Sequence, residues 1–404
     1  MNCVINNIKQ LVTCSGFSAK HGREMSDLGI MENAAIVVTD GIITYVGAAS
    51  GNLPLECDVN YDMIDAADKA VLPGFIDSHT HFVFGGYREE EFSQRLRGDD
   101  YLSILQRGGG IYNTVKATQA ASFEELYAVA KTRLDKMLAM GVTTVEGKSG
   151  YGLDKETELK QLRVMQRLQH EHRIGIVPTY LGAHAVPKGF TEDLYVDFML
   201  REMLPVIREE NLAEGCDIFC EKGVFGIKSS ERFLLGAKEM GFNLRLHADE
   251  IVNTGGAELA AATGALSADH LLQISDSGIK AMAESNTVAT LLPCTAFSLR
   301  EDYARGREMI DAGCAVALAS DFNPGSCFTC SIPLTVALAC IYMKLSPEEA
   351  VTALTINAAA ALGKAGSTGS IDVGKKGNII ILEYPGYKFL SYNAGMNCVE
   401  KVII

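Results

Sequence analysis

PGFIDSHTHF, Pro73 to Phe82, is the stretch on which the reading of this chain turns. It begins as an apolar strand and ends with two histidines, His79 and His81, one residue apart. Side chains of a strand alternate between faces, so both imidazoles point the same way. Two imidazoles on one face can grip one metal ion. The pair alone is weak, because two packed core histidines would read identically, so its place in the chain has to decide.

Working outward, strand-like runs recur at 71–79, 143–148, 175–182, 216–221, 243–248, 266–270, 287–293 and 315–321. Helical stretches separate them. Phe123, Leu126, Ala130, Leu134 and Leu138 keep one apolar stripe, and Leu159, Leu162, Met165 and Leu168 keep another. Ser122 with Glu125, and Ser346 with Glu349, have capping-box spacing, the second with Pro347 at the first helical position. Strand–helix alternation implies a parallel sheet covered by helices. About eight such units favour the α/β class in its closed form, a (β/α)8 TIM-type barrel.

Both ends of the chain read differently. Residues 35–38 and 42–46 are short apolar runs joined by Asp40-Gly41, a hairpin signal. Ile371, 378–382 and 399–404 are strand-like, punctuated by Gly374, Gly377, Pro385 and Gly386. The expected organisation is a small β-sandwich domain from residues 1–65 plus 368–404, around a barrel at 66–367.

The histidines then fall into a pattern. Of eight in the chain, His21, His170 and His172 sit in polar or charged surroundings and read as solvated. The other five stand at or just beyond expected strand ends: His79 and His81, His184, His247 and His270. The last strand ends in ALASDFNPGS, which brings Asp321 to the same rim, with Ala315, Ala317 and Ala319 on its face. Carboxyl ends of barrel strands are where active sites form. Three imidazoles and a carboxylate with one open position suit zinc or iron in a hydrolytic site. Glu250, three residues after His247, is placed to move a proton; without that neighbour it would read as a solvated loop carboxylate. His270 reads either as a group at the centre or as a packed supporting histidine.

The bulk composition narrows the partners. The formal charge is −14 and no Lys/Arg-rich run occurs, which argues against nucleic acid and acidic membranes. A small anionic substrate remains compatible, since one arginine can reverse a local field. No signal-peptide pattern opens the chain, and no apolar run reaches the ~18 residues of a membrane span. Eleven scattered cysteines suit a reducing cytoplasm; Cys327/Cys330 and Cys216/Cys220 lack a second pair for structural zinc. Gly108 to Gly110 lack phosphate-loop spacing and read as a lid segment or a plain loop.

The motifs together are more specific than any one of them. PGFIDSHTHFVFGGYREEEF, RGGGIYNTV, KSGYGLD, YLGAHAVP, HADE with GGAELAA, GALSADHL and SDFNPGS run through most of the chain. In these segments the sequence resembles the amidohydrolases, and among them the imidazolonepropionase family of histidine degradation. The resemblance implies His79, His81, His247 and Asp321 as ligands of one Zn2+ or Fe3+ per subunit. It implies Glu250 as proton shuttle, assisted by His270, with Asp321 also acting as a base. Arg88 would pair with a substrate propionate, because a guanidinium fork fits a carboxylate. Tyr101, Tyr151 and His184 would contact the substrate, as would Asn323, Gly325 and Ser326. The implied reaction opens 4-imidazolone-5-propanoate to N-formimidoyl-L-glutamate by attack of metal-bound hydroxide on the cyclic amide carbonyl. A homodimer is the implied assembly.

Two other readings compete. A cyclic amidine or nucleobase deaminase would carry the same metal set without needing Arg88. A non-catalytic scaffold would have lost ligands, whereas every expected position is filled here. Two departures add expectations: Gly147, in place of an aliphatic residue, would loosen the second strand, and Lys148 or Lys222 would be the candidate for a carboxylated lysine bridging two metals.

Overall fold

The structure, a computed structural model, describes residues 1–49, 53–98 and 109–404. Tyr101 and Gly108 lie outside the described residues.

The chain begins with β1 (Cys3–Val12), β2 (Ile30–Thr39), β3 (Ile42–Ala48), β4 (Asp62–Asp65) and β5 (Ala70–Pro73). The β2–β3 hairpin turns at Asp40-Gly41, both with positive φ (51° and 78°), the backbone that a two-residue primed turn requires. Eight parallel strands follow: β6 (Phe75–Asp77), β7 (Val142–Lys148), β8 (Gly175–Ala183), β9 (Gly215–Cys220), β10 (Asn243–Ala248), β11 (Ser267–His270), β12 (Val288–Leu291) and β13 (Val316–Leu318). Finally β14 (Ile379–Leu382) and β15 (Val399–Ile403) return to the first sheet.

The terminal strands form one continuous seven-stranded sheet in the order β15-β14-β5-β1-β2-β3, with β4 beside β1. It has its own core, including Ile5, Ile8, Leu11, Ile36, Val38, Ile379 and Ile381. The second sheet runs in sequence order from β6 to β13, and helices between successive strands cover its outside. It closes on itself beyond the named strands. Thr80 bridges Phe322 in parallel, and the His81 amide donates to the Phe322 carbonyl at 2.9 Å. The Asp77 carboxylate accepts from the Ser320 amide (2.9 Å) and hydroxyl (2.6 Å) across the same seam. The architecture is thus a (β/α)8 barrel with a separate sheet from both chain ends.

Both expected capping boxes are present, at Ser122/Glu125 and Ser346/Glu349, so their helices start where the sequence places them. Among the described residues no helix is long and apolar enough to cross a membrane.

Four local expectations are corrected. The run 71–79 is not one strand: β5 pairs with β14 and β1 in the terminal sheet, and only β6 enters the barrel. β13 ends at Leu318, and Asp321 has φ +51°, so strand alternation does not carry Asp321 to its face. Gly147 does not loosen β7, whose seven residues are all buried. A Cβ there would lie 2.6 Å from Phe82 Cε1 and 2.9 Å from Met165 Sδ, so the glycine makes room for Phe82. The His172 side chain is only 4% exposed, with Nε2 3.1 Å from Asp135 Oδ1, rather than solvated.

Candidate metal centre

The carboxyl ends of the barrel strands bring His79, His81, His184, His247, His270, Glu250 and Asp321 together. Ring centroids of His79 lie 5.4 Å from His81, 4.6 Å from His247 and 5.3 Å from His270. His184 stacks on His81 at 5.1 Å, and Tyr151 lies 5.7 Å from His81. Asp321 Oδ1 is 3.5 Å from His79 Nε2 and 3.7 Å from His81 Nε2, while Oδ2 accepts the Thr295 hydroxyl at 2.6 Å. Thr295 therefore fixes which oxygen faces the histidines.

Beneath this layer lies a second one. His79 Nδ1 donates to Asp269 Oδ2 at 2.6 Å, so Nε2 is the nitrogen turned to the centre. The His247 amide donates to Asp217 Oδ1 at 3.2 Å, and its Nδ1 touches Asp217 Oδ2 at 3.0 Å without hydrogen-bond alignment. Lys148 Nζ reaches both aspartates and Glu146, at 2.6 Å from Asp217, 2.9 Å from Glu146 and 3.4 Å from Asp269. Burial disfavours the Lys148 ammonium, but the three carboxylates outweigh it and raise its pKa. An ammonium held this way is a poor candidate for carboxylation, which needs the free amine. Lys222 is exposed.

The loop after β10 is tied down separately. Asp249, at φ +49°, accepts from the amides of Thr254 (2.7 Å), Gly255, Gly256 and Ala257 (each 3.1 Å). Glu221 accepts from the Ile251 amide at 2.8 Å. Between them Glu250 is held with Oε1 3.5 Å from His270 Nδ1. Its carboxyl is pushed up to about 8, by burial first and then by the like charges of Asp321 and Glu221. That places it near neutrality, where a group can both take and give a proton. His270 itself, at φ +77°, leaves the strand's alternation and faces the cluster although its neighbour Asp269 does too.

The donor set fits a metal ion. Donor atoms of His79, His81 and Asp321 lie within 4.8 Å of one another, as do those of His79, His247 and His270, and those of His81, His184 and His247. The expected quartet is spanned by these overlapping triads rather than by one. A further group, His79 with Glu146 and Asp269, already faces the Lys148 cation. His79 Nε2, His81 Nδ1 and both ring nitrogens of His270 are buried without hydrogen-bond partners among the described residues. Burying so many unpaired polar atoms is costly, and a coordinated cation compensates it. The electrostatics agree. Burial and Lys148 oppose a proton on His79, but Asp269 and Asp321 prevail and raise it to about 10, so this position attracts positive charge.

The outer positions divide. Arg88 follows β6 and pairs with Glu91, Nε to Oε2 at 2.9 Å. Its guanidinium lies against Gly325, where an added Cβ would be 2.1 Å from Nη1. Glu91 Oε2 also accepts the Gly110 amide at 3.1 Å, and Oε1 accepts from Asn113 at 3.2 Å. His184 Nδ1 donates to the Gly150 carbonyl at 3.1 Å, and burial with His247 lowers its pKa to about 3, leaving the ring neutral. Asn323, Gly325 and Ser326 direct their donors to one another: Asn323 Oδ1 accepts both following amides at 2.8 Å, and its Nδ2 donates to the Ser326 hydroxyl.

Sequence reasoning missed Asp217, Asp269 and Glu146, and named Lys148 only as a candidate for carboxylation. The available signal was a charged residue inside a buried strand, in β7, β9 and β11. Each alone reads as a solvated edge, and only the closed barrel shows them facing one another.

Comparison with known proteins gives the family and the fold. The amidohydrolase family model matches residues 245–404. An imidazolonepropionase of Bacteroides thetaiotaomicron is 62% identical over 406 residues, covering 100% of this chain and 97% of its own. That of Parabacteroides distasonis is 60% identical over 402 residues (99% and 97%), and that of Clostridium tetani 58% over 404 (100% and 96%). Among solved structures, a zinc-bound adenosine deaminase from Xanthomonas campestris matches at 18% identity and TM-score 0.74, covering 100% of this chain and 91% of its own. A guanine deaminase from C. acetobutylicum matches at 16% and 0.74 (100% and 98%). At such identities the deaminases share the fold alone. Full-length identity decides between the neighbours: the chain belongs to the imidazolonepropionase family of amidohydrolases.

Proposed function

We propose that this chain hydrolyses 4-imidazolone-5-propanoate to N-formimidoyl-L-glutamate, a step of histidine degradation. The observation that carries the reading is the pairing of a hydrolytic metal rim with Arg88, seated over Gly325 beside it. A deaminase of neutral nucleobases would not need Arg88 as a carboxylate clamp.

His79, His81, His247 and Asp321 would hold the ion, one Zn2+ or Fe3+ per subunit. When bound, such an ion acts as a Lewis acid and brings a coordinated water to a pKa of about 7. Engagement of Lys148 with three carboxylates supports one metal rather than a bridged pair. Glu250 takes the proton released as water adds to the ring carbonyl. It passes that proton to the ring nitrogen as the C–N bond breaks. His270, within 3.5 Å of Glu250, stabilises charge on the tetrahedral carbon's oxygen, and Asp321 assists as a base. Arg88 grips the propionate. Tyr151 and His184 bound the ring, and the loop of Asn323, Gly325 and Ser326 shapes the floor under Arg88.

The division proposed is a small β domain, 1–65 with 368–404, on a hydrolase barrel at 66–367, with β5 as the strand linking them. A cytoplasmic homodimer acting on a small anionic cyclic amide completes the reading; light scattering checks the assembly. The decisive assay follows the ultraviolet absorbance of imidazolone propionate with purified protein. Loss of the chromophore is expected. No loss, with turnover of a nucleobase instead, overturns the assignment. Anomalous scattering at the two absorption edges separates zinc from iron.

A further inference from the structure

Lys148 is fully buried at the end of β7, and its Nζ reaches across the barrel to β9 and β11. An ammonium has three N–H donors, and this one has three carboxylates around it: Asp217, Glu146 and Asp269. Two of these partners each touch a histidine of the cluster: Asp269 accepts from His79 Nδ1, and Asp217 accepts the His247 backbone amide and lies 3.0 Å from its Nδ1. The third is fixed from behind. Glu146 Oε1 accepts the Thr179 hydroxyl at 2.5 Å and faces Arg245 Nε at 3.0 Å. All of these side chains are buried, so water cannot substitute for a missing partner.

We propose that Lys148 is a positioning residue for the metal centre: by tying the Asp217 and Asp269 carboxylates together it sets the orientation of His247 and His79. Two aspartates from different strands would otherwise repel each other beneath the site. The shared ammonium holds them at the spacing their histidines need: Asp269 fixes which His79 nitrogen faces the metal through its hydrogen bond, and Asp217 anchors the His247 backbone beside its Nδ1. The arrangement links β7, β9 and β11 to ligands on β10 and after β6, so preorganisation comes from a strand that supplies no ligand. This inference rests on the metal reading of the site proposed above.

The test measures metal affinity of the purified full chain by competition with a chromophoric chelator, alongside kcat, KM and thermal stability. Lys148→Met, similar in length and uncharged, is expected to bind zinc roughly 10–100-fold more weakly, the range typical of outer-sphere partners. It is expected to lower kcat with KM nearly unchanged, because Lys148 touches no substrate. Metal affinity within twofold of the unsubstituted chain, whatever happens to stability, overturns the proposal. Should Lys148→Met fail to fold, Lys148→Arg keeps the charge but not the compact three-donor head. A folded Lys148→Arg chain that binds zinc at least threefold more weakly supports the proposal, and wild-type affinity in it overturns it. His79→Ala serves as control. Loss of metal there with an unaffected Lys148→Met defeats only this inference, whereas no stoichiometric metal in the unsubstituted chain defeats the metal reading itself.

Discussion

The Asp321 amide donates to the His79 carbonyl at 3.0 Å, so the seam that closes the barrel includes a hydrogen bond between two residues of the candidate metal centre. Closure and placement of the proposed ligands therefore coincide: strand one meets strand eight where these side chains converge. Because this bond is made by the backbone, Asp321→Asn leaves it intact and retains an oxygen for Thr295. What the substitution removes is the negative charge facing His79 and His81. Metal content after chelator dialysis is expected to fall by more than the roughly 10–100-fold typical of outer-sphere changes, with the far-ultraviolet circular dichroism unchanged. Wild-type metal content in Asp321→Asn would exclude it as a ligand.

Glu250→Gln is expected to keep the metal and lose about 10²–10⁴-fold in kcat, the usual range for general acid–base catalysis. An unchanged rate rejects the shuttle.

The same carboxyl gives a stability signature in chelator-treated protein. Its pKa is about 8 in the folded chain against an ordinary 4.5, so the folded state holds the proton more tightly than the unfolded state. The contribution is fully present below pH 4.5 and is lost as pH rises through 8. Glu250→Gln removes that loss. The variant's Tm relative to the parent should therefore rise between pH 5 and pH 8.5; a pH-independent difference would show that Glu250 titrates normally.

Much of this was legible because barrels repeat. Eight strand positions came from alternation of apolar runs and helical stripes, and five histidines at strand ends then located the rim. The rest depended on backbone that breaks the period. His270 and Asp321 both adopt positive φ, so neither obeys strand alternation, and Asp269 and His270 both face inward although adjacent. The carboxylates under the rim were hidden for another reason. A buried charge is identifiable only through its partner, and Lys148 is separated from Asp269 by 121 residues. Asn323 shows the converse: its motif drew attention, but its amide is engaged by its own loop.

Arg88 and Gly325 form the most direct test of substrate choice. Arg88→Ala should raise KM for the propionate substrate with a smaller effect on kcat, as expected when binding common to ground and transition states is removed. Gly325→Ala leaves the arginine in the sequence but places a methyl 2.1 Å from its Nη1 position, forcing the guanidinium aside. The two variants should therefore share the KM phenotype. A normal KM in both would place the carboxylate clamp elsewhere.

Gly147 supplies a prediction about packing alone. Its backbone has no positive φ, so a β-branched residue is locally acceptable in β7 and raises intrinsic strand propensity. Space decides against it. The Cβ position lies 2.6 Å from Phe82 Cε1 and 2.9 Å from Met165 Sδ, and Phe82 is fully buried directly after His81. Met165 can yield because its side chain is flexible, whereas the larger Phe82 ring is fully buried and would have to displace its neighbours to move. Gly147→Val is therefore expected to destabilise the chain by about 1–3 kcal/mol, the usual cost of overpacking. Because Phe82 directly follows His81, a ligand in the proposed site, the strain should also reach His81 and weaken metal binding. Paired with Gly147→Val, Phe82→Leu opens space beside the new methyl groups and should recover part of the loss. Denaturant unfolding of both chains measures this, and a stable Gly147→Val would mean that Phe82 moves freely and the glycine is not there for its ring.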